Sequence, residues 1–449
     1  MRRIRDEHLD FILHFATGAV EGEILDAARY GVWSFQFDDP QRYRATTPGF
    51  WEIYRGDPVN GAVLERLTVL AEAPIVLRRG YFRTALHSYR RNIDEVHFGA
   101  AGWVANVCKD LLHERVAYLD SPPSPMSAPV LEGPTNSEMV RFLARQTGNS
   151  VQRLGRGAFH HEEWCLGIVD APISSFLEPH DTRPVRWFRP AGGDRFAADP
   201  FGLEVDGAVQ ILYEDFRYRT SRGVIATLDA SARGPLSPPT VALDLSVHAS
   251  YPYLFVDRGD IFCVPETNEA REVNLYRAVD FPTKWEKVAT LLKGPAALDG
   301  TVFRHEGRWW LTYTDLDVGQ YVHLFVWHSK ELAGPWEPHA RNPVKADIRS
   351  ARPAGTPFVH EGHLYRPAQD CSQTYGGGIT LNRILRLTPD DFAEETAAVL
   401  GPDPSGPFPD GIHTLSAVGD VTLIDGKRHR FIPSAIPYVI RSSRSGSGS

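Results

Sequence analysis

The chain has 449 residues and a formal net charge of −8, so no strong basic field favours nucleic acid. That length exceeds one typical compact core and points to two or three domains. Aromatics make up 11 % of residues, with 38 Gly and 34 Pro, a turn-rich balance more typical of β architecture than of helical bundles. Cys108, Cys165, Cys263 and Cys371 form no CxxC pair, which argues against zinc, and a chain of this size does not need disulfide staples. The N-terminal stretch MRRIRDEHLDFILHF has a short apolar run broken by Asp10 and His14, unlike a signal peptide. No apolar stretch is long enough to span a bilayer. The expected setting is soluble, reducing and cytoplasmic.

Residues 1–118 read as a small α/β domain. In order come a strand over Leu9 to Phe15, a helical pattern over Gly22 to Arg29 and a strand over Gly31 to Phe35. A helix at Phe50 to Tyr54, a strand at Ala62 to Leu67 and a closing amphipathic helix over Ile93 to Leu112 follow. Residues 119–160 contain the Pro/Ser-rich run SPPSPMSAPVLEGP and read as a linker, with a short polar helix at Asn136 to Gln146. The tail 438–449, ending in Ser and Gly, is expected to be disordered.

Residues 161–437 lose helical periodicity and read as short strands around Gly turns. Aligning Gly207, Gly259, Gly307, Gly362 and Gly419 gives intervals of 52, 48, 55 and 57 residues. Each is flanked by two strands, as in YLFVDRGDIFCVPE and VFRHEGRWWLTYTD. That interval suits a four-stranded blade, so the fold expected is mostly β: a five-bladed β-propeller behind a smaller N-terminal α/β domain. EEWCLGIVD (162–170) is placed to supply the outer strand of the last blade and close the ring.

The repeat also supplies coordinates for chemistry. Eight residues before each turn glycine stand Asp199, Tyr251, Asp299, Ala354 and Gly411. Seven or eight residues after it stand Asp215, Glu266, Asp315 and Asp370, with Lys427 in the fifth blade. Carboxyls at equivalent places converge on a propeller axis, and cleavage of a glycosidic bond needs one to protonate the leaving oxygen and one to attack or activate water. Asp199 as base or nucleophile, Glu266 as proton donor and Asp299 as a positioning or tuning acid form the expected catalytic set. His248, Tyr251, Arg352, Arg366, Gln369, Asp370 and His413 are expected to bind substrate. Trp309, Trp310, Trp327 and Trp336 read as core between blades. No cluster has metal-ligand spacing, and no cofactor is implied.

Three segments resemble a known domain: SYPYLF with IFCVPET, DGTVFRHEGRWWLTYTD, and RSARPAGTPFVHEGHLYRPAQDCSQTYGGGI. They are similar to the N-terminal domain of the plant glucosamine inositolphosphorylceramide transferase family and its bacterial relatives. That domain is in turn similar to the five-bladed propellers of arabinanase- and fructosidase-type glycoside hydrolases. The resemblance, over roughly 162–437, implies work on sugars or glycolipids, with a first-blade base or nucleophile at Asp199 and a third-blade supporting acid at Asp299. The hydrolases' fourth-blade Glu has no counterpart in ARPAGTPF, leaving Glu266 or Asp370 to substitute.

The stretch YGVWSFQFDDPQRYRATTPGFWEIYRGDPVNGAVLERLT resembles the middle of folate-dependent formyltransferases. That resemblance implies an Asn-x-His pair and a later Asp; the matching positions here hold Ser34, Gln36 and Glu72. Gln has no titratable group, and the family's first βαβ half is missing before Leu9, so formyl transfer is not expected. An incomplete sheet exposes an edge, so homo-oligomerisation through this domain is expected. Three functions remain: an enzyme acting on a glycosidic bond of a surface glycan or glycolipid, a non-catalytic glycan-recognition module, and a sugar N-formyltransferase relative. The expected partner is a sugar, glycan or glycolipid head group.

Overall fold

The computed structural model describes residues 2–431 apart from 16, 17, 19, 71, 72, 127, 179–182, 189–193 and 231–238. Glu72 and the C-terminal tail lie outside the described residues. The chain forms two compact units, Met1–Leu154 and Gly155–Ser449.

The first unit is built on a four-stranded sheet in the order Ile12–His14, Val32–Gln36, Val59–Arg66, Ile75–Arg83. The first pair is parallel and the other two are antiparallel. Leu64 and Trp33 are fully buried, as are Val96 and Val107 on the helices. The single closing helix expected over Ile93 to Leu112 is two helices, Tyr89–Ala100 and Trp103–Leu112, separated at Ala101 and Gly102. The expected helix at Gly22 is a one-turn 3₁₀ segment, Gly22–Asp26. The strand Ile75–Arg83 has no counterpart in the sequence reading, because three arginines interrupt its apolar run.

The short helix expected at Asn136 instead runs 24 residues, Asn136–Phe159. It opens on a reciprocal cap: Glu138 accepts from the Thr135 amide at 2.8 Å, and the Glu138 amide donates to Thr135 Oγ1 at 3.4 Å. It continues past Gly148 because Asn149 and Ser150 donate to the carbonyls of Leu86 and His87, each at 3.0 Å.

The second unit is mostly β, as the composition implied. Among the described residues it contains five antiparallel sheets, spanning 195–243, 250–293, 297–346, 358–400, and 415–431 with 160–188. First strands of neighbouring sheets touch, including 195–205 with 250–257, 250–257 with 297–305 and 415–418 with 195–205. Gly355 bridges Leu415 between the fourth and fifth sheets. A Cβ at Gly355 would fall 1.9 Å from the Leu415 carbonyl oxygen, so glycine is required at this approach. The ring of sheets is a β-propeller. The segment His160–Val169 pairs along its length with Val421–Phe431. It is the third strand of the last sheet, not the outer one; Arg186–Phe188 lies outside it.

The hairpins turn at Asp206-Gly207, Arg258-Gly259, Glu306-Gly307, Glu361-Gly362 and Gly419-Asp420. In the first four both turn residues have φ between 47° and 90°. That is the two-residue turn whose twist matches the flanking strands. In the fifth the glycine comes first, so counting from Gly419 runs one residue out of register. Trp309 and Trp336 join one buried cluster with Phe201, Tyr253 and Leu311, and Trp310 joins another with Leu324 and Leu364.

Candidate functional site at the propeller centre

Asp199, Tyr251 and Asp299 occupy one structural position in three successive blades. Each falls where the first-strand pairing shifts register, and each has positive φ, at 53°, 42° and 54°. Non-glycine residues rarely adopt that backbone, which bulges the strand and turns its amide toward the axis. Carboxylates from the neighbouring blade receive these amides. Asp199 N donates to Asp425 Oδ2 at 3.2 Å, Tyr251 N to Asp199 Oδ2 at 3.2 Å, and Asp299 N to Glu266 Oε2 at 2.9 Å. In the fifth blade the corrected register places Ile412, not Gly411, at the equivalent position.

The residues facing these bulges from the second strands are Glu214, Glu266, Thr314, Gln369 and, in the corrected register, Lys427. Ala198 pairs with Glu214, Ser250 with Glu266, Leu298 with Thr314, and Gly411 with Lys427. Glu214, and not the expected Asp215, is the first-blade acid at this position. Its signal is the spacing it shares with Glu266. Asp215 instead pairs with Arg195 at 3.3 Å, and Asp315 caps a short helix by accepting from Asp317 N.

A cavity of about 300 Å³ opens over this floor. Asp199, Glu214, Glu266 and Asp299 line it with His248 and Arg352, beside the rings of Phe196, Phe216, Tyr321 and Tyr375. Arg352 and Gln369 both clamp Asp299: Arg352 Nη2 reaches Oδ1 at 3.2 Å, Arg352 Nε bonds Oδ2, and Gln369 Nε2 donates to Oδ2 at 2.8 Å. The same guanidinium lies 3.8 Å from Glu266 Oε2 and over the Tyr375 ring at 5.1 Å. Asp199 is held by Thr414 Oγ1 at 2.9 Å and by His413 Nε2 at 3.3 Å.

Burial raises the Asp199 carboxyl to about 6, against the opposing pull of His413 and with help from Asp299 and Asp425. Burial likewise pushes Glu214 well above the usual carboxyl range, reinforced by Asp199 and Glu266. Glu266 is also raised well above its usual range by burial and the charge of Asp299, with Arg352 opposing. His248 Nδ1 accepts the Gly223 amide at 2.8 Å, so in the neutral ring its Nε2 carries the proton, 3.6 Å from Glu214 Oε1. Burial lowers this histidine's pKa and favours that neutral form. Gly223 lets Glu214 approach: a Cβ there would lie 2.6 Å from Glu214 Oε1.

Of the expected site residues, Asp199, Glu266, Asp299, His248 and Arg352 line the cavity. Tyr251, Gln369 and His413 lie beneath it, touching its carboxylates. Two expectations are corrected. Arg366 is fully buried, paired with Glu394 at 2.6 Å and donating to the Ser350 and Ala351 carbonyls, and it does not line the cavity. Asp370 caps a turn by accepting the Ser372 amide at 2.9 Å. No metal site was expected from sequence, yet Asp199, His413 and Asp425 bring ligating atoms within 4.8 Å of one another. The Asp425 oxygens already accept amides of Asp199, His413 and Thr414, a hydrogen-bonded staple across the ring seam. In the first unit, Ser34 and Gln36 sit on the strand Val32–Gln36, and Gln36 donates to Glu65 at 3.5 Å.

Residues 190–402 match the family described as glucosamine inositolphosphorylceramide transferase 1, N-terminal. The propeller is similar to that family's N-terminal domain. Glucosamine inositolphosphorylceramide transferase 1 of Arabidopsis thaliana is 32 % identical over 279 residues, covering 56 % of this chain and 36 % of the relative. The Oryza sativa subsp. japonica protein of the same name is 36 % identical over 208 residues, covering 44 % of this chain and 27 % of the relative. The chain thus spans about a third of the length of the relatives it matches. Among solved structures, a family 117 glycoside hydrolase produced by Zobellia galactanivorans aligns with 14 % identity and a TM-score of 0.38, covering 60 % of this chain and 91 % of its own. A GH43 protein from Bacillus licheniformis aligns with 16 % identity and a TM-score of 0.35, covering 47 % and 46 %.

Proposed function

We propose that the propeller acts on a glycosidic bond of a glycan or glycolipid head group, as a hydrolase or transglycosidase. Asp199 serves as base or nucleophile and Glu214 as proton donor. The observation that carries this reading is the unequal state of two carboxyls in one cavity. Burial and neighbouring acids push the Glu214 carboxyl well above the usual range, whereas burial raises Asp199, lying beside His413, only to about 6. Separated carboxyl pKa values of this kind suit acid and base roles at one bond. Glu266 is the less suitable donor, because its Oε2 holds the Asp299 amide and lies near Arg352. Asp299, clamped by Arg352 and Gln369, acts as a positioning residue. The aromatic rings at the rim suit the faces of a sugar, and the name of the plant relatives supports a sugar or glycolipid head group as ligand.

A second reading, a glycan-recognition module, is favoured by the full use of Asp199 and Asp299 as hydrogen-bond acceptors. Incubation of wild type, Asp199→Asn and Glu214→Gln with a panel of oligosaccharides and glycolipid head groups, with product analysis, separates the two. Turnover lost in both variants with binding retained supports the enzyme. Binding by all three proteins without product supports the recognition module.

A further inference from the structure

The helix Asn136–Phe159 packs the wrong way round for an ordinary amphipathic helix. Its polar side is turned onto the first unit: Asn149 and Ser150 bond the carbonyls of Leu86 and His87, Arg145 bonds the Tyr54 carbonyl, and Arg153 bonds His87. The aromatic anchor on that side is Phe142, stacked 4.5 Å from Phe50. The opposite side exposes Val140 (67 %), Leu143 (53 %), Val151 (64 %) and Leu154 (74 %). At 100° per residue these four fall on one stripe with Thr147 at its middle, and no charged residue lies on it.

The stripe reads the same in both directions. Val140 and Leu154 stand seven residues either side of Thr147, and Leu143 and Val151 four residues either side. A two-fold axis at Thr147 therefore sets Val140 against Leu154 and Leu143 against Val151 of an antiparallel copy. Pairing of this isologous kind is the commonest symmetry of soluble oligomers. Antiparallel packing also sets the positive end of each helix dipole beside the negative end of the other, a complementarity of charge. The arginines do not oppose it, because Arg145 and Arg153 bond their own unit on the far side.

We propose that a second copy of this chain covers the stripe, forming a two-fold dimer whose axis passes by Thr147. The test uses the full chain. Sedimentation of wild type at micromolar concentrations is expected to give a dimer, and Leu143→Glu a monomer with an unchanged circular dichroism spectrum. In a Cys108→Ser background, Thr147→Cys is expected to cross-link to its own copy under mild oxidation. Gln152→Cys, on the far side of the helix, is expected to remain uncross-linked. A monomeric wild type overturns the proposal and leaves the stripe to another segment of the same chain or a different partner. A dimer that survives Leu143→Glu, or cross-links as readily through Gln152→Cys, overturns it too and places the interface elsewhere.

Discussion

Glu214 and Glu266 are the same position on adjacent blades: each pairs with the residue immediately before a bulge, Ala198 and Ser250 respectively. Their surroundings differ. Glu266 carries the amide of the next bulge, at Asp299, whereas Glu214 faces His248 across 3.6 Å. Glu214→Gln is therefore expected to lower turnover by about 10²- to 10⁴-fold, the usual worth of a general acid, with little change in melting temperature. Glu266→Leu leaves the Asp299 amide without its acceptor and should cost about 1–3 kcal/mol of stability. Steady-state kinetics and thermal melts of the two variants check the contrast.

The pH dependence of turnover follows from the same pair. Asp199 must be ionised, and its carboxyl is raised to about 6, so activity should rise with pH through that value. Glu214 must be protonated, and its pKa is well above the ordinary carboxyl range, so activity should fall again on the alkaline side. A pH–rate profile on a cleaved substrate should show both limbs, and Glu214→Gln should lose the alkaline one.

Arg352 and Arg366 provide a test of which arginine belongs to the site. Both are buried in ion pairs, with Asp299 and Glu394 respectively. Replacing either by Met leaves a carboxylate without its strongest partner and should destabilise by about 3–5 kcal/mol. Calorimetric titration with a sugar ligand should then separate them: Arg366→Met keeps the affinity in its folded fraction, and Arg352→Met loses it.

The first unit should respond to pH in its own way. Burial raises Asp38 to about 6, Glu52 to about 7 and Glu65 to about 7. The folded state therefore holds more protons than the unfolded state between roughly pH 4 and 7, and stability falls as pH rises through that window, levelling above it. The contribution of Glu65 alone is on the order of 3 kcal/mol. Hydrogen exchange of the strand Val59–Arg66, corrected for intrinsic rates, should show protection lower at pH 7.5 than at pH 5. Glu65→Gln should shrink the difference, leaving the part that Asp38 and Glu52 contribute.

The propeller was legible because its hairpins repeat and each turn needs glycine. The equivalence of Asp199, Tyr251 and Asp299 was readable by counting back from those glycines, although nothing in composition announces a positive φ. Counting forward was less secure. Side chains alternate along a strand, so one residue of error exchanges Glu214 for Asp215 and brings Asp370 in place of Gln369. The fifth turn, with its glycine first, added such an error at Gly411. In sequence a buried arginine and a ligand-binding arginine look alike; only the fold shows Glu394, two strands away in the same sheet, beside Arg366. The full length of the helix Asn136–Phe159 is not legible in sequence, because three glycines in its second half resemble a terminus and its tertiary hydrogen bonds are invisible there.

The pairing of His160–Val169 with Val421–Phe431 joins segments more than 250 residues apart in the chain. During synthesis the first blade's inner strand therefore waits for the last segment to emerge before its neighbour is complete. The Asp199 amide has no Asp425 to bond, and the seam between first and fifth blades stays open until then. Loops of that span close slowly, so the faces that the first and fourth blades turn to the fifth stay uncovered until it forms. The floor of the cavity is assembled in the same final step, since Thr414, His413 and Asp425 all arrive with the closing blade. A nascent chain stalled before residue 413 would carry its cavity acids but not the groups that hold Asp199 in place.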